Sequence, residues 1–301
     1  MQGLKLTTLL VFLTTGYFSF NNNPPKSEDN GQNNEPQILH PGTLSNDLPQ
    51  WNNYFNRKLS IGLCTQLIDG KSRIIQYPYA DSAFSQGSII PFKEQFEYAS
   101  PWVNLEGDYM LLQANIGPLG EVSRDFGICE SRLVNGQWTQ PKPLNHINNM
   151  PGNEGSPALA ENGNLYFNAQ NGNRGYDIFV LKKGATKPVA LPEAINSTYY
   201  EGDFYIDKDE KFIVFSSADR PDGQGSTDLY ISFNENGRWT KAVSLGNRIN
   251  TAAEEFSPYV SMDRRFLVFT SNRNYPDGLI PSYNHFIVEI DLDRIKQHFG
   301  D

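Results

Sequence analysis

Four glutamates recur at similar places along the chain and are its best candidates for chemistry. They open the segments EYASP at 97–101, EGSP at 154–157, EGDF at 201–204 and EFSP at 255–258, and are Glu97, Glu154, Glu201 and Glu255. Carboxylates that are brought together repel one another, so one can be kept protonated as a general acid while another acts as a base. Such a group would also suit a hard cation such as Ca²⁺.

The alternative is that each glutamate caps a turn by accepting backbone N–H bonds. A residue that is repeated in every unit is more typical of a structural role, because catalysis breaks symmetry. If the role is structural, we expect glutamine at Glu154 and at Glu255 to destabilise the fold by similar amounts.

Three aspartates and two arginines also recur and favour a structural role. Asp125, Asp177 and Asp228 each precede an aromatic or apolar strand, and we expect them to accept hydrogen bonds from the preceding loop. Arg220 and Arg273 follow the second strand of their units and are predicted to pair with these aspartates.

Other chemistries find no support in the sequence. The four histidines have no partner at the spacing of a zinc site, and there is no nucleophile elbow, phosphate-binding glycine loop or Cys-x-x-Cys. The loop 219–228 is rich in oxygen ligands but lacks the alternating spacing of a calcium loop. We therefore expect no cofactor, with calcium as the one metal that the carboxylates would suit.

The positions of these residues follow a repeat. After each glutamate segment come a polar turn, an apolar run such as Phe212-Ile-Val-Phe215 and, in most units, an aspartate-led strand such as Asp228-Leu-Tyr230. A step of roughly 50 residues is the signature of a propeller or solenoid. Including a weaker first unit, the sequence predicts an all-β propeller with five four-stranded blades. The first strand of each blade lines the central channel of a propeller, so we expect the four glutamates to form a ring near one mouth of that channel.

The two ends of the repeat region complement each other. The last unit lacks a fourth strand, and residues 37–47 look like a fourth strand with no unit before them. We therefore predict that residues 37–45 pair with the strand near Asn284–Ile290 and close the ring, which removes two exposed sheet edges.

These motifs resemble the TolB-type propeller repeat. The likeness rests on Glu-x-x-Pro, the Asn-Gly turns, the Asp-Leu-Tyr strand and the run Phe269-Thr-Ser-Asn-Arg273, and it covers residues 95–290 well and 40–94 weakly. The resemblance implies a TolB-like β-propeller domain over residues 37–301, for which the family's usual count would be six blades. Such propellers serve as periplasmic scaffolds, as parts of peptidases and as polysaccharide lyases, so the fold leaves the function open.

The N-terminal region indicates export. Lys5 precedes an apolar run from Leu6 to Phe20, which predicts a signal peptide over residues 1–20, and the polar residues 21–36 predict a disordered linker. The protein is then periplasmic or secreted, with no membrane span after signal removal. Its two cysteines, Cys64 and Cys129, form no disulfide framework, and their pairing stays open.

Two classes of function follow from these observations. The first is an exported binding or scaffold module for a protein, peptide or glycan ligand. The alternative is a carbohydrate-active enzyme, a glycoside hydrolase or polysaccharide lyase, with the glutamates as acid and base. A net charge of −9 argues against nucleic acid as a partner, because phosphates would be repelled.

Overall fold

A computed structural model describes residues 35–81, 83–145, 147, 150, 152–172, 175–274 and 283–297. The predicted signal peptide and almost all of the predicted linker lie outside the described residues. The described chain forms five antiparallel sheets, each of four or five strands, which are the five blades of a β-propeller. The sequence prediction of five blades is therefore confirmed, and the family's usual six is not reached.

In each blade, three long strands are followed by one or two short outer strands. The first blade contains β2 (Gln50–Asn56), β3 (Ile61–Ile68), β4 (Lys71–Ala80), β5 (Ala83–Phe84) and β6 (Ser88–Ile89). The second contains β7 (Tyr98–Val103), β8 (Tyr109–Ile116), β9 (Val122–Val134), β10 (Gln137–Trp138) and β11 (Lys142–Pro143). The third contains β12 (Glu154–Leu159), β13 (Leu165–Gln170), β14 (Tyr176–Leu181) and β15 (Val189–Ala190).

The last two blades follow the same order. The fourth contains β16 (Tyr200–Ile206), β17 (Phe212–Ala218), β18 (Thr227–Glu235), β19 (Arg238–Trp239) and β20 (Val243–Ser244). The fifth contains β21 (Glu255–Val260), β22 (Phe266–Ser271) and β23 (Asn284–Glu289), and its outer strand is β1 (Gln37–Ile38) from the start of the described chain. The helix α1 (Leu292–Gln297) follows β23, and no helix of the described residues is long and apolar enough to cross a membrane.

The ring closes as the sequence predicts. Gln37 pairs with Ile287 and Ile38 with Phe286, so β1 supplies the fourth strand that the last unit lacks. The closure continues beyond the strand, because Leu39 N donates to His285 O at 2.7 Å. Both Leu39 and Leu44 are buried, so the segment contributes core packing as well as backbone pairing.

The core lies between neighbouring blades. Apolar residues alternate along the strands, and their inward faces pack against the next sheet; Tyr166 and Ile178 of the third blade, for example, share a cluster with Phe204 and Phe215 of the fourth. A fully buried side chain such as Phe215 contributes about 1.5–3 kcal/mol to stability. This packing fixes the angle at which each first strand reaches the centre.

Buried asparagines hold the connections that lead into the first strands of the fourth and fifth blades. Asn196 accepts a bond from Ile178 N at 2.9 Å and donates to Ile178 O at 2.9 Å. Asn250 bonds both backbone groups of Leu229 in the same way, at 2.8 and 3.0 Å. An amide suits this task because it carries an acceptor and two donors. These bonds position β16 and β21, which contribute residues to the site.

Candidate functional site

Every first strand contains an irregularity at nearly the same place, which begins one residue earlier in the fourth blade than in the others. The pairing register shifts at Trp51/Tyr54, Ala99/Trp102, Gly155/Ala158, Glu201/Phe204 and Phe256/Tyr259. A β-bulge of this kind redirects a side chain. The redirected residues line the central cavity, and we call them the ring: Asn52, Ser100, Ser156, Asp203 and Ser257.

Asp203 departs from the symmetry of the ring. The other four members have φ between 47° and 53°, in the left-handed region that favours small polar residues, whereas Asp203 does not. Three of those four are serines, and the fourth is Asn52. Asp203 is the one carboxylate that the ring contains.

The ring is held together by hydrogen bonds that converge on Asp203. Ser156 Oγ donates to Asp203 Oδ1 at 2.5 Å, Asn52 Nδ2 donates to Oδ2 at 3.0 Å, and Ser257 Oγ also donates to Oδ2. Asn52 Oδ1 in turn accepts from Ser100 Oγ at 3.1 Å. Asp203 thus joins the fourth blade directly to the first, third and fifth by charge-assisted bonds, which are stronger than neutral ones, and Asn52 links the second blade to this network.

Two residues after each ring position, a second layer is mainly aromatic. We call Tyr54, Trp102, Tyr205 and Tyr259 the aromatic belt; Ala158 stands at the equivalent place in the third blade. The rings contact one another across blades, with centroids 6.3 Å apart for Tyr54 and Trp102 and 5.6 Å for Tyr205 and Tyr259. Tyr54 OH donates to Val103 O at 2.5 Å, and burial raises its pKa well above the ordinary value. The Tyr54 hydroxyl is thus used within the protein, which leaves the face of its ring for contact. The belt has a gap at the third blade, where Ala158 replaces an aromatic residue.

The ring and the belt form the floor and wall of a cavity of about 900 Å³, on the side where the first and second strands connect. Charged residues of both signs surround it. Asp207 is bound by Arg264, with Nε 2.9 Å from Oδ1 and Nη2 3.1 Å from Oδ2. Lys208 pairs with Glu161 at 2.9 Å, and Arg132 lies over the ring of Tyr109 at 4.4 Å.

Two of the candidate glutamates lie in buried ion pairs at the other end of the first strands. Glu201 accepts from Arg220 Nη2 at 2.8 Å and from Ser197 Oγ at 2.6 Å. Glu255 accepts from Arg273 Nη2 at 3.2 Å and from Thr251 N at 2.8 Å. Both glutamates are fully buried, and neither lines the cavity.

Glu154 occupies the same position in the third blade but has a different environment. It pairs in register with Ala169, where Glu201 and Glu255 face Ser217 and Ser271. Glu154 accepts from Met150 N at 3.1 Å and is 3% exposed. Burial raises the pKa of Glu154 to about 7, so this carboxyl group is partly protonated at neutral pH.

Glu97 lies one residue ahead of this position, which Tyr98 occupies in the second blade. Its carboxylate accepts from Ser72 N at 3.2 Å, a strand residue of the first blade. In the first blade the position is taken by Gln50, which is fully buried. The four glutamates therefore do not form one symmetric set.

The recurring aspartates also differ among themselves. Asp228 is buried and accepts from Gln224 N at 2.9 Å and Gly225 N at 3.2 Å, and Asp177 is buried and accepts from Asn171 Nδ2. Asp125, in contrast, is exposed. Arg220 and Arg273 do not pair with these aspartates as expected. Each arginine follows a second strand and lies beside a glutamate of the first strand, so Arg220 pairs with Glu201 and Arg273 with Glu255.

Thiol and metal chemistry find no site in the described part of the chain. Cys64 and Cys129 are both buried and free. Burial raises the pKa of each thiol to about 12. Among the residues that the structure describes, no group of three or more His, Cys, Asp or Glu side chains is placed to hold a metal ion.

No protein-family model matches the sequence, and no curated protein matches it. Solved structures, in contrast, do match the fold of this chain. TolB from Acinetobacter baumannii superposes with a TM-score of 0.52 at 13% identity over 81% of this chain, which spans 55% of that protein. The catalytic domain of a GH62 α-L-arabinofuranosidase from Coprinopsis cinerea gives 0.53 at 9% identity over 85% of this chain and 96% of that one.

A GH62-type α-L-arabinofuranosidase from Podospora anserina, solved in complex with cellotriose, gives 0.52 at 10% identity over 86% of this chain and 97% of that one. These likenesses show the fold alone. They place the chain among propellers that include both TolB structures and arabinofuranosidases, so the choice between a binding module and an enzyme rests on the cavity.

Proposed function

We propose that the chain is a binding module whose ligand, a segment of a protein, a peptide or a glycan, enters the cavity between the ring and the aromatic belt. The observation that supports this most strongly is the combination of a cavity of about 900 Å³ with carboxylates that are engaged by protein donors. Pockets of about 300–1,000 Å³ with aromatic walls and a few placed polar groups are typical of ligand sites.

The state of the carboxylates favours binding over hydrolysis. A general acid or base must exchange a proton with the substrate, and its geometry must leave an oxygen available for that exchange. Asp203 accepts bonds from three donors, and Asp207 is held by both nitrogens of the Arg264 fork. Both carboxylates are thus already engaged as hydrogen-bond acceptors within the protein, which suits fixed binding groups better than groups that exchange protons.

A carbohydrate-active enzyme is the second candidate, and one observation favours it. Asp203 is the only ring member that carries a charge, and departure from symmetry is what catalysis requires. An acid and base pair would then combine Asp203 with a rim carboxylate such as Glu106 or Glu161.

Binding and turnover are tested together on two matched variants. Trp102→Phe changes the belt, whereas Trp138→Phe changes an outer strand that does not line the cavity. Both proteins and the wild type are exposed to a peptide library and a glycan array, and the glycans are assayed in parallel for cleavage. We expect a ligand whose affinity falls about ten-fold in Trp102→Phe and is unchanged in Trp138→Phe.

Three results would contradict this proposal. One is the absence of any ligand from either collection, and another is a ligand whose affinity is equal in all three proteins. The third is glycan cleavage that disappears in a folded Asp203→Asn variant, which would establish the enzyme instead.

We also propose that the protein works outside the cytoplasm, which is supported by the apolar run Leu6–Phe20 behind Lys5. Fractionation of cells that express the full chain measures this directly. Recovery of the uncut chain from the cytosol would refute it.

A further inference from the structure

The hydrogen-bond donors of the ring are used within the molecule. The amide of Asn52 donates to Asp203 Oδ2 and to Ser257 Oγ, both at 3.0 Å. The hydroxyls of Ser156 and Ser257 donate to Asp203, and Ser100 Oγ lies 3.1 Å from Asn52 Oδ1 and 3.3 Å from Gln113 Oε1. Since each hydroxyl carries one hydrogen, the side chains of the ring have no further hydrogen to donate to the oxygens of a ligand that reaches the floor.

The acceptors of the ring are only partly used. An ionised carboxylate has about four lone-pair sites, and Asp203 receives three hydrogen bonds. Asp203 is half-buried and lines the cavity, so its remaining capacity faces the ligand. The innermost group of a ligand should therefore be a hydrogen-bond donor, and a positive charge would complement the carboxylate.

The wall above the floor suits an apolar stem rather than a sugar. Tyr54 OH donates to Val103 O at 2.5 Å and Tyr259 OH to Phe55 O at 3.3 Å, so these two hydroxyls point into the backbone and their rings face neighbouring side chains. Pro101, Pro157 and Pro258 also line the cavity. A sugar needs polar partners around its ring, whereas a hydrocarbon chain is stabilised by apolar contact, and a cation gains further from aromatic faces.

We propose that the cavity receives a lysine or arginine side chain from a peptide or protein partner, with the cationic group at Asp203 and the stem against the aromatic belt. The arrangement fits, because the belt lies two residues beyond the ring along each strand, so that a cationic group at Asp203 leaves its stem beside the belt. The net charge of −9 favours the approach of a basic partner. The inference rests on the proposed binding function and names the ligand class.

The test uses four peptides of the form acetyl-Gly-Gly-X-Gly-Gly-amide, with X as lysine, arginine, norleucine or citrulline. Norleucine keeps the hydrocarbon stem of lysine and citrulline keeps the shape of arginine, but both lack the positive charge. Each is titrated into the full chain to millimolar concentration and followed by NMR. We expect the lysine and arginine peptides to bind at least about ten-fold more tightly than their neutral counterparts.

Variants of the protein locate the effect. Asp203→Ser introduces the residue that three other ring positions already carry, and it should remove the preference for charge. Glu235→Gln removes a carboxylate that pairs with Lys296 away from the cavity, and it should preserve that preference. If Asp203→Ser fails to fold, the comparison of charged and neutral peptides on the wild type decides alone.

The outcomes separate this inference from the function on which it rests. Equal binding of charged and neutral peptides, or a preference that survives in Asp203→Ser, overturns the inference and leaves a binding module. If glucosamine oligomers bind and the lysine and arginine peptides do not, the cationic ligand is a sugar, and the proposal of a peptide or protein partner is refuted. A cavity that binds no peptide and no glycan overturns both proposals.

Discussion

Replacing Glu255 by glutamine should destabilise the protein far more than the same change at Glu154, in contrast to the similar losses expected from the sequence, because the two glutamates have different environments. Glu255 is fully buried and accepts from Thr251 N, Thr251 Oγ1 and Ser271 Oγ, each at 2.8 Å, and from Arg273 at 3.2 Å. A glutamine amide offers one acceptor atom in place of two and turns an N–H group toward at least one of these donors. One buried donor left unpaired costs about 1–3 kcal/mol.

The ion pair adds to this cost. Removing one partner of a buried pair costs about 3–5 kcal/mol, because the other charge stays buried without compensation. Arg273 retains its bond to Ile249 O and its position 4.9 Å from the ring of Phe269, so we take the lower end. We expect Glu255→Gln to lower the free energy of unfolding by about 3 kcal/mol.

Glu154→Gln should not destabilise the protein at neutral pH, because a glutamine resembles the protonated carboxyl that burial already favours there. Urea unfolding of the wild type and both variants, monitored by tryptophan fluorescence, measures the difference. Equal losses for the two variants, or a loss below about 1 kcal/mol for Glu255→Gln, would refute the reasoning.

The remaining predictions concern pH, ring closure and the thiols. Because burial raises the folded pKa of Glu154 from 4.5 to about 7, the wild type should lose about 3 kcal/mol of stability relative to Glu154→Gln as pH rises from about 4.5 to 7, and little more above pH 7; parallel stability profiles would contradict this. Deleting residues 1–45 should lower Tm by at least about 10 °C, because it removes Leu39 and Leu44 from the core. Deleting residues 1–34 should leave Tm unchanged, and calorimetric scans of both deletion variants measure the two Tm values. Cys64 and Cys129 should resist iodoacetamide in the native protein and react after unfolding, and mass spectrometry that finds native labelling would contradict their burial.

Most of the fold could be predicted from the sequence because local signals agree with it. Turns such as Asn236-Gly237 and the alternating strands mark each unit, and the missing fourth strand of the last unit points to closure by residues near 37–45. The first strand of the first blade was not predicted, because Gln50 and Asn52 replace the glutamate and serine of the repeat there. The single fourth strand that the repeat predicts for each blade is two short strands in the fourth blade, β19 and β20.

The candidate site was less accessible to sequence reasoning. Ser156 and Ser257 lie inside the recurring motif, but only the bulge and the positive φ show that these residues line the cavity. The one available signal was the aspartate of Glu201-Gly-Asp203, which replaces the serine of the other units. Sequence order does not show that the end of a second strand lies beside the start of the first strand. For this reason the sequence suggests aspartates as the partners of Arg220 and Arg273, whereas the structure pairs them with glutamates.

The glutamate–arginine pairs and the cavity lie at opposite ends of the same first strands. Glu201 and Glu255 secure the start of β16 and β21, while the loops that follow these strands surround the cavity mouth. Insertions or exchanges in those loops would leave the ion pairs untouched, and loops tolerate such change well. The loops after β2, β7, β12, β16 and β21 are therefore natural grafting positions for engineering a new specificity.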